Sequence, residues 1–261
     1  MIANTLQGAS YTLRGAKLIV QPGIRVYAAL PLLINTLIFA GGIWAGVYYG
    51  GEGIDWLLSG LPSWLMWLKW LLVPLLVLFL VVFVFFSFSL VANILTAPFN
   101  GPLAEAVERH LRGELPPAHF SLASLAREGV KAILGALQKL LYCLAWSTPL
   151  IVLSLIGFFL LPLLQPFTSF LWFLYGAWML AFEYVDYPMG NHGHPFAEQR
   201  QVLRGHWQHA IGFGSATMAM AMIPLLNFIA IPAGVAGATI FWVERLQEEA
   251  ARTIVKGNKP G

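Results

Sequence analysis

Charge and cysteine are what this sequence has least of. Lys, Arg, Asp and Glu together make up 10% of its 261 residues, where a water-soluble domain carries roughly a quarter. With 58% apolar residues, such a chain could not keep its surface in water, so a soluble globular protein is excluded. The ten-residue alternation of a lipid-facing β-barrel is missing too, which leaves a helical membrane protein. Cys143 is the only cysteine. No intrachain disulfide is possible, a secreted disulfide scaffold is excluded, and a thiol inside an apolar run acts as small apolar filler. Signatures of chemistry are equally scarce. There is no Gly-x-x-x-x-Gly-Lys-Ser/Thr phosphate loop, no His-Glu-x-x-His helix and no Gly-x-Ser-x-Gly elbow, so the chain is not a P-loop ATPase and no enzymatic activity is expected.

What charge there is stays out of four long blocks. Val26 to Gly51, Trp70 to Ala104, Leu140 to Phe182 and Gly205 to Val243 hold no Asp, Glu, Lys or Arg. A spanning helix needs about 20 consecutive apolar residues. The first two blocks predict spanning helices over 26–49 and 70–97, with Trp44, Tyr48 and Tyr49 as interfacial anchors. The last two are interrupted by proline and predict broken hairpins over 140–182 and 210–243. Their tips are alike, Pro162-Leu163-Leu164-Gln165-Pro166-Phe167 and Pro224-Leu225-Leu226-Asn227-Phe228. Neither tip carries a charge. The second arm of the last block, about Ala233 to Val243, is short for a span, so the hairpins are expected to penetrate the membrane halfway, their tips buried in protein or lining a cavity. No intramembrane carboxylate or lysine is available as a proton relay.

The polar remainder falls into three pieces. Residues 1–25 predict an interfacial amphipathic helix, with Leu6, Ala9, Leu13, Ala16 and Val20 on its apolar face, followed by a turn. Residues 101–139 predict a polar helical region on the cytoplasmic side. Asn100-Gly101-Pro102 reads as a helix start, Glu105 and Arg109 as an i,i+4 pair that gates or simply holds helices together, and Ser121 as the cap of a second helix after Pro116-Pro117. Residues 244–261 read as a polar tail. The chain is thus expected to be one all-α membrane domain over 1–261. Lys and Arg flank the first two blocks on one side, which places both flanks inside and the 50–69 loop outside. The same placement assigns the net charge of +3 to membrane surfaces and argues against nucleic acid.

Two clusters could bind something. His192, His194, His206 and His209, with Asp186 nearby, have metal-capable ring nitrogens, but the spacing is unspecific and no metal or other cofactor is expected. Gln21-Pro22-Gly23-Ile24-Arg25 is sharper. Proline and glycine fix a turn, so the amides of Gly23, Ile24 and Arg25 would face outward at a helix N-terminus, where free N–H groups and the dipole favour an anion. Arg25 adds a planar fork suited to a tetrahedral oxyanion, though composition alone equally gives a helix-start turn with Arg25 snorkelling to the headgroups. Asn93, Asn100, Gln165 and Asn227 are the uncharged amides at membrane depth that could line an anion route, or equally make ordinary interhelical hydrogen bonds.

These residues carry a resemblance. Gly15-Ala16-Lys17-Leu18 with Gln21-Pro22-Gly23-Ile24-Arg25, Ala97-Pro98-Phe99-Asn100-Gly101-Pro102-Leu103-Ala104-Glu105, Ala177-Trp178-Met179-Leu180-Ala181, Asp186-Tyr187-Pro188 with Asn191-His192, and Met222-Ile223-Pro224-Leu225-Leu226-Asn227 follow one another as in the CysZ family of bacterial inner-membrane sulfate transporters, which the chain resembles along nearly its whole length. The resemblance implies a multi-pass sulfate permease that feeds cysteine synthesis, forms a homo-oligomer in the lipid bilayer and needs neither an ATPase subunit nor a cofactor. It maps sulfate binding onto Gly23, Ile24 and Arg25. Relatives often have a second Arg where this chain has Val26, and commonly Leu where it has Pro102. The first departure shifts the expected binding toward backbone donors. The rival readings are a non-transporting membrane scaffold or assembly factor, and a metal-dependent membrane enzyme using His192 to His209.

Overall fold

A computed structural model describes residues 1–60, 69–113 and 122–257. Among them the chain is all-helical: α1 (Ile2–Leu18), α2 (Arg25–Ser59), α3 (Lys69–Leu111), α4 (Leu122–Phe159), α5 (Gln165–Asn191), α6 (Phe196–Gly205), α7 (Trp207–Met222), α8 (Pro224–Phe241) and α9 (Gln247–Gly257). A 3₁₀ turn at Pro162–Leu164 joins α4 to α5, and a π turn at Trp242–Leu246 joins α8 to α9. The chain divides into two compact units, Met1–Ala28 with Phe99–Gly261, and Ala29–Pro98.

The unit Ala29–Pro98 consists of most of α2 and the first part of α3. Both helices outrun the predicted spans: α2 continues through Gly50, Gly51 and Gly53 to Ser59. At 35 and 43 residues and 1.5 Å per residue they measure about 50 and 65 Å, more than a bilayer core needs. Trp44 stacks on Tyr48 with ring centroids 5.5 Å apart, and Tyr49 meets Tyr48 edge to face at 4.8 Å.

The other unit holds the buried core, and its logic is close backbone approach. Helix α1 lies against α7 and α8 through Gly8, Tyr11, Thr12, Gly15 and Leu18, all buried. A methyl group on Gly8 would overlap the carbonyl of His209, one on Gly212 the carbonyl of Thr5, and one on Gly15 the backbone of Ala233 and Gly237. Gly214 meets the Ala177 carbonyl of α5 in the same way, and the Tyr184 ring covers Gly234. Small residues that let backbones touch, with hydroxyls bonding across, are how helices associate where hydrophobic collapse is unavailable. Thr12 and Thr217 supply the hydroxyl pair, 2.8 Å apart and fully buried. Tyr11 stacks on Phe241 at 5.1 Å, an arrangement worth about 1 kcal/mol beyond its area.

The face of α1 that packs on protein is thus made of small residues with Tyr11 and Leu18, and Leu6 and Leu13 lie outside it. Leu6, Leu13 and Val20 are 60–70% exposed and remain an outward apolar strip. Helices break at Leu160–Leu164 and at Ile223–Pro224, and the helices flanking these breaks are long. Pro149 sits inside α4 without breaking it, and α4 carries the polar segment from Leu122 straight into the third block. Pro116-Pro117 and Ser121 fall outside the described residues. In the last block α8 runs on to Phe241, and Ile229–Arg252 is long and apolar enough to cross a membrane, so shortness no longer argues for half-penetration. The helix passes its first charges because Glu244 pairs with Arg14 of α1. Residues 244–257, read as a tail, are helical, with Leu246 and Ala250 buried. Nor does a helix start at Asn100: α3 runs through Asn100-Gly101-Pro102 to Leu111, because the Asn100 side chain is spent on Tyr187 instead of capping.

A second segment, Leu137–Phe159, is also long and apolar enough to cross a membrane, and only 11% of it is buried, against 72% of Ile229–Arg252. Around its tip Phe158, Phe159, Leu160 and Leu163 are 68–95% exposed. Water would not tolerate such a contiguous apolar surface; lipid does.

The glycine contacts make a prediction. Gly212→Leu should destabilise the protein by about 3 kcal/mol or more, since backbone has to move, whereas Gly41→Ala, with nothing within 4 Å, should be neutral or slightly stabilising. Thermal unfolding of the two variants in detergent checks the contrast; equal melting temperatures would contradict it.

Candidate functional site

The sequence places an anion site at the junction of α1 and α2, and the geometry there follows from three buried side chains. Leu18, Ile19 and Ile24 are all in the core, Ile24 completely, so the intervening residues have to loop outward. Pro22 fixes one torsion. Gly23 has φ +89°, a conformation that a side chain makes costly. Helix α2 then begins at Arg25.

Hydrogen bonding in this turn differs from the expectation of three free amides. The Gln21 carbonyl accepts the N–H of Ile24 (3.2 Å) and of Arg25 (3.0 Å), and the Ile24 carbonyl accepts those of Tyr27 (3.0 Å) and Ala28 (3.4 Å). Ile24 and Arg25 therefore spend their amides on the turn itself, and the side chain of Ile24 is an anchor. Gly23 and Val26 are the turn residues whose N–H groups make no backbone hydrogen bond, and both residues are exposed. The Arg25 side chain is exposed and forms no ion pair among the described residues, and the same holds for Lys17 at the end of α1. Two free amides, a helix dipole and an unneutralised guanidinium converge on one exposed turn, an arrangement that favours an oxyanion.

The other candidate residues are dispersed. Asn100 is buried and donates through Nδ2 to Tyr187 Oη at 3.0 Å. Gln165 donates through Nε2 to the Ser154 carbonyl at 3.3 Å, closing the α4–α5 hairpin beside the Trp172 Nε1 to Ser154 Oγ bond of 2.9 Å. Both are thus interhelical fasteners. Asn227 has its side chain exposed at the second tip. Asn93 lies in α3, and its side chain is outside the described residues. Among the described residues no hydrogen bond links Asn100, Gln165 and Asn227 to one another. Glu105 and Arg109 pair at 2.8 Å with both side chains around 40% exposed, which makes the pair worth little.

Sequence reasoning missed the neighbour of that pair. Glu108 is buried and takes both Arg112 and His192, the latter at 2.9 Å. With Asn191 Nδ2 donating to the Gly101 carbonyl at 2.8 Å and Asn100 to Tyr187, the motif around 100–108 is fastened to the motif around 187–192. The signal was available only as the co-occurrence of two polar motifs in an apolar chain; the pairing needs the fold. The histidines do not converge. His192 is held by Glu108 and His194 lies 3.2 Å from Glu198, while His206 and His209 pack near Phe241. Burial pushes the His206 imidazole below its ordinary pKa. Among the described residues no group of three His, Cys, Asp or Glu could hold a metal.

The chain's relatives bear on this arrangement. A family described as Sulfate transporter CysZ/Etoposide-induced protein 2.4 matches residues 11–232. A protein named Sulfate transporter CysZ from Pseudomonas aeruginosa is 40% identical over 253 residues, covering 96% of this chain and 99% of its own length. Two from Pseudomonas fluorescens bear the same name, one 44% identical over 245 residues, with 93% and 96% covered, the other 37% identical over 255 residues, with 98% and 99% covered. With a family match over most of its length, the chain belongs to the Sulfate transporter CysZ/Etoposide-induced protein 2.4 family.

Proposed function

We propose that this protein is a sulfate permease that brings sulfate across the bacterial inner membrane for cysteine synthesis, without hydrolysing ATP. The observation that carries the reading is the turn at Gly23–Arg25: an exposed, unpaired Arg25 beside two unbonded amides, in a chain whose nearly full-length relatives are named sulfate transporters. Sulfate is a tetrahedral dianion with no proton to donate at neutral pH, so it is recognised by donors alone. The turn offers donors and no carboxylate.

In this reading the Arg25 guanidinium and the Gly23 and Val26 amides bind sulfate, and the buried Ile24 holds the turn in shape. The departure at Val26, where relatives often have a second Arg, is compensated by that residue's own backbone N–H. Binding by one charge and two amides is weak enough for release, which conduction requires. Asn227 is the pathway amide we retain from the four, since Asn100 and Gln165 already hold helices together; Asn93 joins it if its side chain faces the route. The Glu105–Arg109 pair is structural. Helices α2 and α3 cross the bilayer, the α4–α5 and α7–α8 hairpins wall the route, and a homo-oligomer completes it.

Two outcomes test this. Liposomes containing only this protein should take up radiolabelled sulfate down its gradient without ATP, and Arg25→Ala should lower the initial rate by about tenfold, the loss expected for a charge-assisted contact. Flux equal to that of empty liposomes would favour a scaffold. Gly23→Ala should lower flux as well, with a stability loss of about 1 kcal/mol from its left-handed φ; an unchanged rate there would detach the turn from transport.

A further inference from the structure

The α4–α5 hairpin carries a feature that sulfate transport does not use. Along its outer side runs a groove of about 420 Å³, lined by Tyr142, Trp146 and Leu150 of α4, Leu171, Leu174 and Trp178 of α5, and by Arg204 of α6. The helices are antiparallel, so Trp178 stands at the level of Tyr142, to which its Nε1 donates at 3.3 Å, and Leu171 stands opposite Leu150 nearer the tip. From Tyr142 to Leu150 the groove measures about 12 Å. Its walls are apolar and aromatic, and it opens on the helix whose surface is almost wholly exposed.

Only one end is charged. Arg204 closes it, and Arg200, one turn earlier on α6, lies 5.7 Å from the Tyr142 ring centroid. Two arginines at i,i+4 repel each other. Neither has a carboxylate at ion-pair distance among the described residues: Glu198 of the same helix faces His194, and Glu249 of α9 faces His206 and the backbone at Gly205. An anion between the two guanidiniums would relieve the repulsion. The groove asks for something that is anionic at one end and hydrocarbon along its length.

We propose that this groove binds an anionic phospholipid, its phosphate between Arg200 and Arg204 and one acyl chain along Trp146, Leu150, Leu171 and Leu174. Charge complementarity selects the headgroup, since basic pockets beside membrane helices hold anionic lipid, and the aromatic residues sit where a glycerol backbone meets the chain. The lipid braces α6 against the hairpin at the end where α5, α6 and α9 pack together. The inference rests on membrane insertion of the hairpin but not on sulfate as the cargo.

The test reconstitutes the full-length protein in vesicles of equal phosphatidylglycerol and phosphatidylcholine, extracts it gently and reads retained lipid by native mass spectrometry, with sulfate flux measured separately. The wild type should retain phosphatidylglycerol over phosphatidylcholine. An Arg200→Gln, Arg204→Gln double variant should lose that preference by about tenfold or more, and Leu174→Trp, which fills the groove and spares both arginines, should lose the retained lipid as well. Equal retention by the wild type and both variants would overturn the proposal. So would cross-linking between copies through Leu174→Cys, which would make the occupant a second subunit. Sulfate binding in lipid-free neutral detergent that the double variant abolishes would overturn it too, by making the arginines a free-anion site. Loss of lipid preference in the double variant with flux intact supports the groove; a wild type that prefers phosphatidylglycerol but carries no sulfate supports the groove and speaks against the permease.

Discussion

Close approach of helix backbones at glycine is the constraint on which the larger unit depends. Gly8 and Gly15 of α1, Gly212 and Gly214 of α7, and Gly237 of α8 leave no room for even a methyl group. Glycine weakens a helix by roughly 0.5–1 kcal/mol per residue, a cost that only tight packing recovers. That packing fixes α1 along its length, and with it Leu18, Ile19 and the outward turn that follows. The geometry of the turn at Gly23 and Arg25 is thus a consequence of helix packing one turn earlier. In an apolar solvent, where leucine gains nothing by leaving lipid, small residues and buried hydroxyls such as Thr12 and Thr217 do the work that a leucine core does in water.

The same principle explains what could be read from the sequence and what could not. The membrane character was legible because charge exclusion over tens of residues has no other physical cause. The helix breaks at Pro162 and Pro224 were legible because proline marks them locally. The buried face of α1 was not. Leu6, Leu13 and Val20 gave the hydrophobic periodicity, yet the packed face is Gly8, Tyr11, Thr12 and Gly15, since hydropathy ranks glycine and threonine low and membrane interfaces rank them high. Helix ends failed for a related reason. Asn100-Gly101-Pro102 has the composition of a start, and Glu244 that of a stop, but Tyr187 and Arg14 supply tertiary partners that let the helix continue through both.

At the α1–α2 junction the turn itself was legible and its hydrogen bonding was not. A Pro-Gly turn before an arginine announces free amides; which ones are free depends on which carbonyl folds back. Here the Gln21 carbonyl takes Ile24 and Arg25, and among the described residues the Gly23 and Val26 N–H groups make no backbone hydrogen bond. That pattern accommodates an aliphatic side chain at position 26, because the backbone N–H of that residue does not depend on its side chain. The polar network around Glu108, His192, Asn191 and Gly101 plays the complementary part, fastening α3 to α5 through side-chain bonds.

Amide-resolved NMR of the protein in lipid nanodiscs, titrated with sulfate, tests the central claim most directly. The account predicts saturable shifts of the Gly23 and Val26 amide resonances and of the Arg25 side-chain Nε–Hε, with the Ile24 amide moving least because it stays bonded to Gln21. Sulfate binding that leaves Gly23 and Val26 unmoved, or that shifts resonances only elsewhere in the chain, would contradict it.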